Sequence, residues 1–236
     1  MTIKFYDRSE VTLLKASASD EDVAYAAWVS TMGTEQGEEQ PEGKRLAGLI
    51  NYLMRDRHGS PFEHTSFTWK VKTPIFVARE FHRHRIASYN EMSGRYMVLP
   101  GEVYVTGALR PLVNAGSSAK PELVEGGAGQ LVAVQSAQRS VALKAWAEYQ
   151  ELLALGVANE VARMHLPQNM MTQFWVTMNA RSLMNFLSLR VHADHATFDT
   201  RPLFEIEQVA GLMENDFRDM MPLTHSAFNN NGRVAP

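Results

Sequence analysis

Residues 66–72, SFTWKVK, alternate without a break: Phe67, Trp69 and Val71 fall on one side of an extended chain, and Ser66, Thr68, Lys70 and Lys72 on the other. Strand side chains point to opposite faces with period two, so this stretch is expected to be a half-buried β-strand. The pattern then switches. Thr73 and Pro74 have the form of an N-cap followed by proline at the first helical position, so IFVAREFHRHR is expected to start a helix. Farther on, TQFWVTMN at 172–179 puts Phe174, Val176 and Met178 on one side, and Asn179 stands where it caps a helix ARSLMNFLSLR.

Amphipathic segments fill much of the rest. DEDVAYAAWVSTM at 20–32 crowds its acids into the first turn, where the helix dipole favours them. KRLAGLINYLMRDR spaces Leu46, Leu49, Ile50 and Leu53 as a helix does. In VQSAQRSVALKAWAEYQELLALG, Val141, Ala145, Tyr149 and Leu152 share a face and Gly156 stands as a C-terminal cap. VANEVARMHLP reads as a short helix stopped by Pro167, and MVLPGEVYVT at 97–106 as a short extended piece. Leu203, Ile206, Ala210, Met213 and Phe217 mark a long helix before a tail, FNNNGRVAP, expected to be irregular. Residues 33–43 are an acidic loop, and 114–130, with Gly116, Gly126, Gly127 and Gly129, a flexible surface insertion. With no repeat and no clean linker, 1–236 is expected to be a single α+β domain.

Bulk composition narrows the function. The chain has 23 Lys+Arg against 26 Asp+Glu, a formal charge of −3, so duplex nucleic acid or an anionic membrane bound by bulk charge is not expected, and any anion site must be local. No apolar run nears the ~20 residues of a membrane span, and MTIKFYDRSEV lacks a signal peptide's apolar core, so the cytoplasm is the expected location. There is no cysteine, hence no disulfide, thiolate metal site or thiol nucleophile.

The local anion site has an address. RHRIASYNEMSGRY at 83–96 gathers Arg83, His84, Arg85 and Arg95 beside Ser88, Asn90, Glu91 and Ser93. Two structural explanations stand beside a functional one: Glu80 is placed for intrahelical pairing with Arg83 and His84, and Ser88-x-x-Glu91 has the spacing of a capping box. Residues 79–95, however, hold four arginines and two histidines against two glutamates, so pairing within the segment leaves it positive. Its flanks, PIFVA and YMVLP, are apolar, and arginine in such a setting favours bidentate recognition of phosphate or carboxylate. In NARSLMNFLSLR, Arg181 and Asn185 lie along one helical face, Leu183, Phe186 and Leu187 along the other, and Arg190 stands at the helix end, where a cation suits the dipole. His192 and His195, three apart, have no evident third metal ligand, and no metal is expected.

The motif RHRIASYNEMSGRY resembles the signature of the flavin-dependent thymidylate synthases: R-H-R, seven residues, then a serine, here Ser93. HGSPFEHTSF at 58–67, EVARMHLP at 160–167, NARSLMNFLSLR and NGRVAP resemble the same family's blocks in the same order. The resemblance implies an antiparallel sheet flanked by helices, and a homotetramer whose active sites draw on several subunits. It implies conversion of dUMP to dTMP, with methylenetetrahydrofolate as carbon donor and a hydride from FAD recharged by NADPH. Carried over by position, Ser60, Arg83, His84, Arg85, Glu91, Asn179, Arg181 and Asn185 fall on flavin contacts. Glu80, Arg83, Ser93, Gly94 and Arg95 fall on dUMP contacts, with Arg163 entering from a neighbouring subunit and Arg190 polarising the uracil. Glu80 departs from a glutamine found in some members; a carboxylate cannot donate as an amide does.

The residues agree with that chemistry. Methylation at C5 of uracil needs a nucleophilic ring, and a chain without cysteine cannot obtain it by thiolate addition to C6. Ser93 has no evident activating base in its motif and is expected to bind. What remains is electrostatic activation, with Arg190 as its source. The alternatives are a nucleic-acid-binding module, with Arg83, Arg85 and Arg95 on phosphates and Tyr89 or Tyr96 stacking on bases, or a flavoprotein with another substrate.

Overall fold

The computed structural model describes residues 2–32, 42–118 and 120–236. Most of the acidic loop expected at 33–43 therefore lies outside the described residues. The fold is α+β. Its principal sheet holds four strands, β2 (Glu10–Ser17), β3 (Ser66–Pro74), β8 (Met171–Met178) and β4 (Ser88–Glu91), in the order β2-β3-β8-β4. The Thr68 and Thr177 hydroxyls are 2.9 Å apart, and the Ile75 N–H just past β3 donates to Met170 O at 3.0 Å. Numbers rise along β3 as they fall along β8, so these central strands are antiparallel. A separate small pair, β1 (Lys4–Tyr6) with β5 (Glu102–Tyr104), is parallel.

The residues fall into two compact units, each threaded by several chain segments. The first takes Met1–Glu10, Val71–Arg83 and Asn90–Phe174. It is organised by α4 (Ala128–Ala154), whose Ala142, Trp146 and Tyr149 are buried with Val103, Ala162 and Met170. Tyr149 and Leu152 meet that core as expected, whereas Val141, expected inside, is 58% exposed and the bulky Trp146 turns inward with Ala142 instead. Gly156 follows the C-cap at φ +81, in the left-handed region glycine enters without penalty. The stretch 114–130 holds more order than expected: β6 (Val113–Asn114) and β7 (Leu123–Val124) form an antiparallel hairpin, and α4 already begins at Ala128. Asn114 Oδ1 accepts the Gly116 and Glu122 N–H groups and closes the turn.

The second unit takes Val11–Lys70, His84–Tyr89 and Trp175–Pro236. Its helices are α1 (Asp20–Met32), α2 (Gly43–Arg55), α6 (Ala180–Arg190), α7 (Phe204–Met220) and α8 (Pro222–Asn230). Phe67 and Trp69 turn inward against α7: the Trp69 indole donates to Asp216 at 2.8 Å and Phe67 meets Phe217 edge to face. Residues 228–230, expected in an irregular tail, complete α8, which opens at Pro222 and is capped from afar. The buried Asp20 carboxylate accepts from the Leu223 and Thr224 N–H groups and from the Thr224 hydroxyl. Nothing local in sequence announces that cap. Among the described residues, no helix is long and apolar enough to cross a membrane.

Candidate active site

The basic cluster begins where a helix stops. α3 (Ile75–Phe81) is shorter than expected, and its start is built differently. Thr73 is not the N-cap: it belongs to β3, is fully buried, and its hydroxyl bonds Ser9 at 2.8 Å. Pro74 holds the cap position, and the first helical N–H groups of Ile75 and Phe76 find the carbonyls of Met170 and Gln168. At the far end Phe81 is buried and the chain turns away, so residues 82–87 are not helical. Glu80 thus has no helical register with Arg83 or His84. Arg83 and Arg85 are exposed, and among the described residues neither makes an ion pair. The capping-box alternative also falls, because Ser88 and Glu91 are the two ends of β4.

In the first unit two groupings form. Glu91 accepts from the hydroxyl of the buried Thr172 at 2.6 Å and lies 3.9 Å from His82 Nε2. The second follows β4, where Ser93 Oγ accepts the Arg95 N–H at 3.3 Å and Arg95 Nε donates to Glu160 at 2.9 Å. Gly94 is buried, and a Cβ there would lie 3.0 Å from Arg163 Cδ and 3.1 Å from Leu99, so glycine lets the turn close onto Arg163. Ser93, Gly94, Arg95 and Arg163 thus lie close together within one chain. Glu160, on the short helix α5 (Asn159–Ala162), carries no local signal for this role, because its partner Arg95 lies 65 residues away in the chain. Thr172 has none either.

The second unit builds on α6. Asn179 caps it as expected, its Oδ1 accepting the Ser182 N–H at 2.8 Å, and Leu183, Phe186 and Leu187 are fully buried. Arg181 Nε donates to Pro236 O at 2.6 Å while Nη1 pairs with Glu63. Gly59 passes beneath it, where a Cβ would sit 2.5 Å from Arg181 Nε and 2.7 Å from Pro236 O. Arg181 therefore joins the HGSPFEH block to the chain's last residues. Asn185 Nδ2 donates to Arg181 O, and Ser60 is exposed at the start of the 3-10 turn Ser60–His64.

At the other end of α6, Arg190 Nε donates to His84 Nε2 at 3.0 Å. The His84 ring stands edge to face on Phe186 at 4.8 Å, and its carbonyl accepts the Tyr89 hydroxyl at 3.0 Å. Burial, then the Arg190 charge, holds the His84 pKa down to about 4, so this histidine is neutral near pH 7. Burial alone pushes Tyr89 up to about 12. His192 bonds Thr200 O and Asp194 through its ring, and His195 lies 3.3 Å from Asn229 Oδ1. Among the described residues no cluster of three or more His, Asp or Glu is arranged to hold a metal ion.

Comparison with known proteins places these features in a family. The model of the thymidylate synthase complementing protein family matches residues 12–223. The flavin-dependent thymidylate synthase of Streptomyces coelicolor is 50% identical over 233 residues, which cover 97% of this chain and 95% of the relative. That of Tropheryma whipplei is 46% identical over 232 residues, covering 98% of this chain and 97% of the relative. Among solved structures, a UMP/dUMP methylase, PolB from Streptomyces cacaoi, bound with 5-Br dUMP superposes with a TM-score of 0.94 at 43% identity, covering 99% of this chain and 100% of that one. The same enzyme bound with 5-Br UMP gives a TM-score of 0.92 at 42% identity, with both chains fully covered.

Proposed function

The chain belongs to the thymidylate synthase complementing protein family, that of the flavin-dependent thymidylate synthases, and on that premise we propose that it methylates dUMP at C5 to give dTMP. The carbon comes from methylenetetrahydrofolate. FAD, when bound, would supply the reducing hydride, with NADPH as the reductant that restores it. The chain acts as one catalytic domain, in the cytoplasm, as a homotetramer.

The donor set fits a flavin dinucleotide. Arg83 and Arg85 are exposed guanidiniums without an ion pair among the described residues, the chemistry a pyrophosphate requires. Asn179 and Asn185 each spend one amide atom on the helix, Oδ1 and Nδ2 respectively, leaving one donor and one acceptor for a heterocycle edge. Ser60, His84, Glu91 and Arg181 complete the flavin side in this proposal. Glu80, Arg83, Ser93, Gly94, Arg95 and Arg163 hold dUMP, with the turn 93–95 and Arg163 at its phosphate.

Arg190 performs the activation. A guanidinium at the uracil N3–O edge stabilises negative charge developing on the ring and raises electron density at C5. In a water-poor site such a donor contributes about 3–4 kcal/mol to the transition state. The observation that carries this assignment is the fixed setting of Arg190: at the end of a helix with a buried apolar face, held through Nε by a neutral histidine.

The test is release of tritium from [5-³H]dUMP. Turnover is expected only with folate, FAD and NADPH together, from a yellow protein whose flavin band bleaches on NADPH addition. A colourless protein that gains no absorbance with FAD and releases no tritium would overturn the proposal. [5-³H]UMP is run alongside, because the solved relative is described as a UMP/dUMP methylase and is bound with 5-Br dUMP in one structure and 5-Br UMP in the other. Faster release from UMP would put the ribonucleotide in dUMP's place.

A further inference from the structure

Building on the role proposed for Arg190, we infer that His84 is its positioning residue: a neutral imidazole whose Nε2 accepts the Arg190 Nε–H and so fixes the plane of the guanidinium that faces the pyrimidine.

The direction of the bond follows from the partners. Arginine is only ever a donor, so at 3.0 Å the His84 Nε2 must be the acceptor. It is therefore unprotonated, and the ring proton sits on Nδ1. An imidazolium would set two cations in contact with no acceptor between them. The imidazole is itself held on two sides. Phe186, fully buried in α6, presents its edge at 4.8 Å and 78°. The Tyr89 hydroxyl, kept protonated by its raised pKa, fixes the His84 carbonyl at 3.0 Å. The low pKa of His84 agrees with this geometry, since burial and the neighbouring charge both keep the acceptor form. A guanidinium restrained at Nε loses rotation about its last bonds. Orientation of that kind matters because a displacement near 1 Å at a reacting centre costs about a hundredfold in rate.

Two replacements separate the acceptor from the bulk of the ring. His84→Leu keeps an apolar body against Phe186 but offers no acceptor, whereas His84→Gln presents Oε1 near the position of Nε2. Rates are measured at saturating FAD and dUMP and expressed per bound flavin, so that weaker flavin binding drops out. His84→Leu is expected to lose on the order of tenfold or more in kcat with a smaller change in KM for dUMP, and His84→Gln to recover most of the kcat that His84→Leu loses. Independently of turnover, the ¹⁵N spectrum of the histidine rings at pH 7 is expected to show His84 protonated at Nδ1 and bare at Nε2, with the Nε2 signal shifting in Arg190→Ala. The inference is overturned by a wild-type rate in His84→Leu, by equal losses in both variants, or by a proton on Nε2. Near-wild-type turnover in Arg190→Ala would instead remove the role of Arg190, and this inference with it.

Discussion

In the proposed reaction, single residues divide the chemistry between binding and activation. Ser93 Oγ accepts the Arg95 N–H and has no histidine or carboxylate bonded to it among the described residues, which supports the proposal that it binds substrate. Ser93→Ala is expected to raise KM for dUMP while kcat falls by less than about tenfold; a fall near the millionfold scale of a lost nucleophile would contradict this. Arg190→Ala is expected to keep FAD, measured by its absorbance, and to lose on the order of a hundredfold or more in turnover at saturating dUMP. Arg190→Lys should recover little of it, because a point charge on a flexible stem offers neither the planar fork nor an Nε–H for His84. Gly59 is a residue-scale constraint of another kind. Gly59→Ala would drive a methyl group into Arg181 and the Pro236 carbonyl, and is expected to lower stability by about 1–3 kcal/mol, read as a fall in thermal midpoint.

Elements explain which residues reach the site. β8 and α6 were legible as written: alternation, then a capping asparagine, then an amphipathic run ending in arginine, each signal held within a few neighbouring residues. Asn179→Ala removes the Ser182 acceptor and is expected to cost about 1 kcal/mol by denaturant titration, with Asn179→Asp near neutral. The β3–α3 junction departs from its local signal, although that signal is just as strong. Thr73-Pro74 is a good capping pair, but the neighbouring chain at 168–170 supplies carbonyls to the same N–H groups and Ser9 takes the threonine hydroxyl. Long-range partners overrode the short-range motif, and the helix ended at the buried Phe81. That early end lets Arg83 and Arg85 leave the helix.

At the scale of the whole molecule, stability is tied to a buried ion network near the chain's end. Arg233, 4% exposed, donates to both Glu214 oxygens, at 2.6 and 3.0 Å, and to Asn229, while His225 lies 2.9 Å from the same carboxylate. Burial opposes ionisation of Glu214, but the hydrogen bonds from His225 and Arg233 outweigh it and hold the pKa down to about 2. A carboxylate depressed in the folded state stabilises fully above its ordinary value of 4.5 and loses that contribution as pH falls through about 2. The network is expected to contribute on the order of 3 kcal/mol near pH 7. Denaturation midpoints of wild type and Glu214→Gln should therefore converge as pH falls from about 4.5 towards 2, and a constant gap would contradict the assignment. By itself the sequence determined the elements whose signals are local, the want of a thiol nucleophile and the positive charge of 79–95, because periodicity, capping and composition are properties of neighbouring residues. Only the tertiary structure decided which arginines stay without carboxylates, that Gly94 seats Arg163, that Asp20 caps a helix two hundred residues away, and that His84 meets Arg190, because each depends on groups far apart in the chain meeting at hydrogen-bond distance.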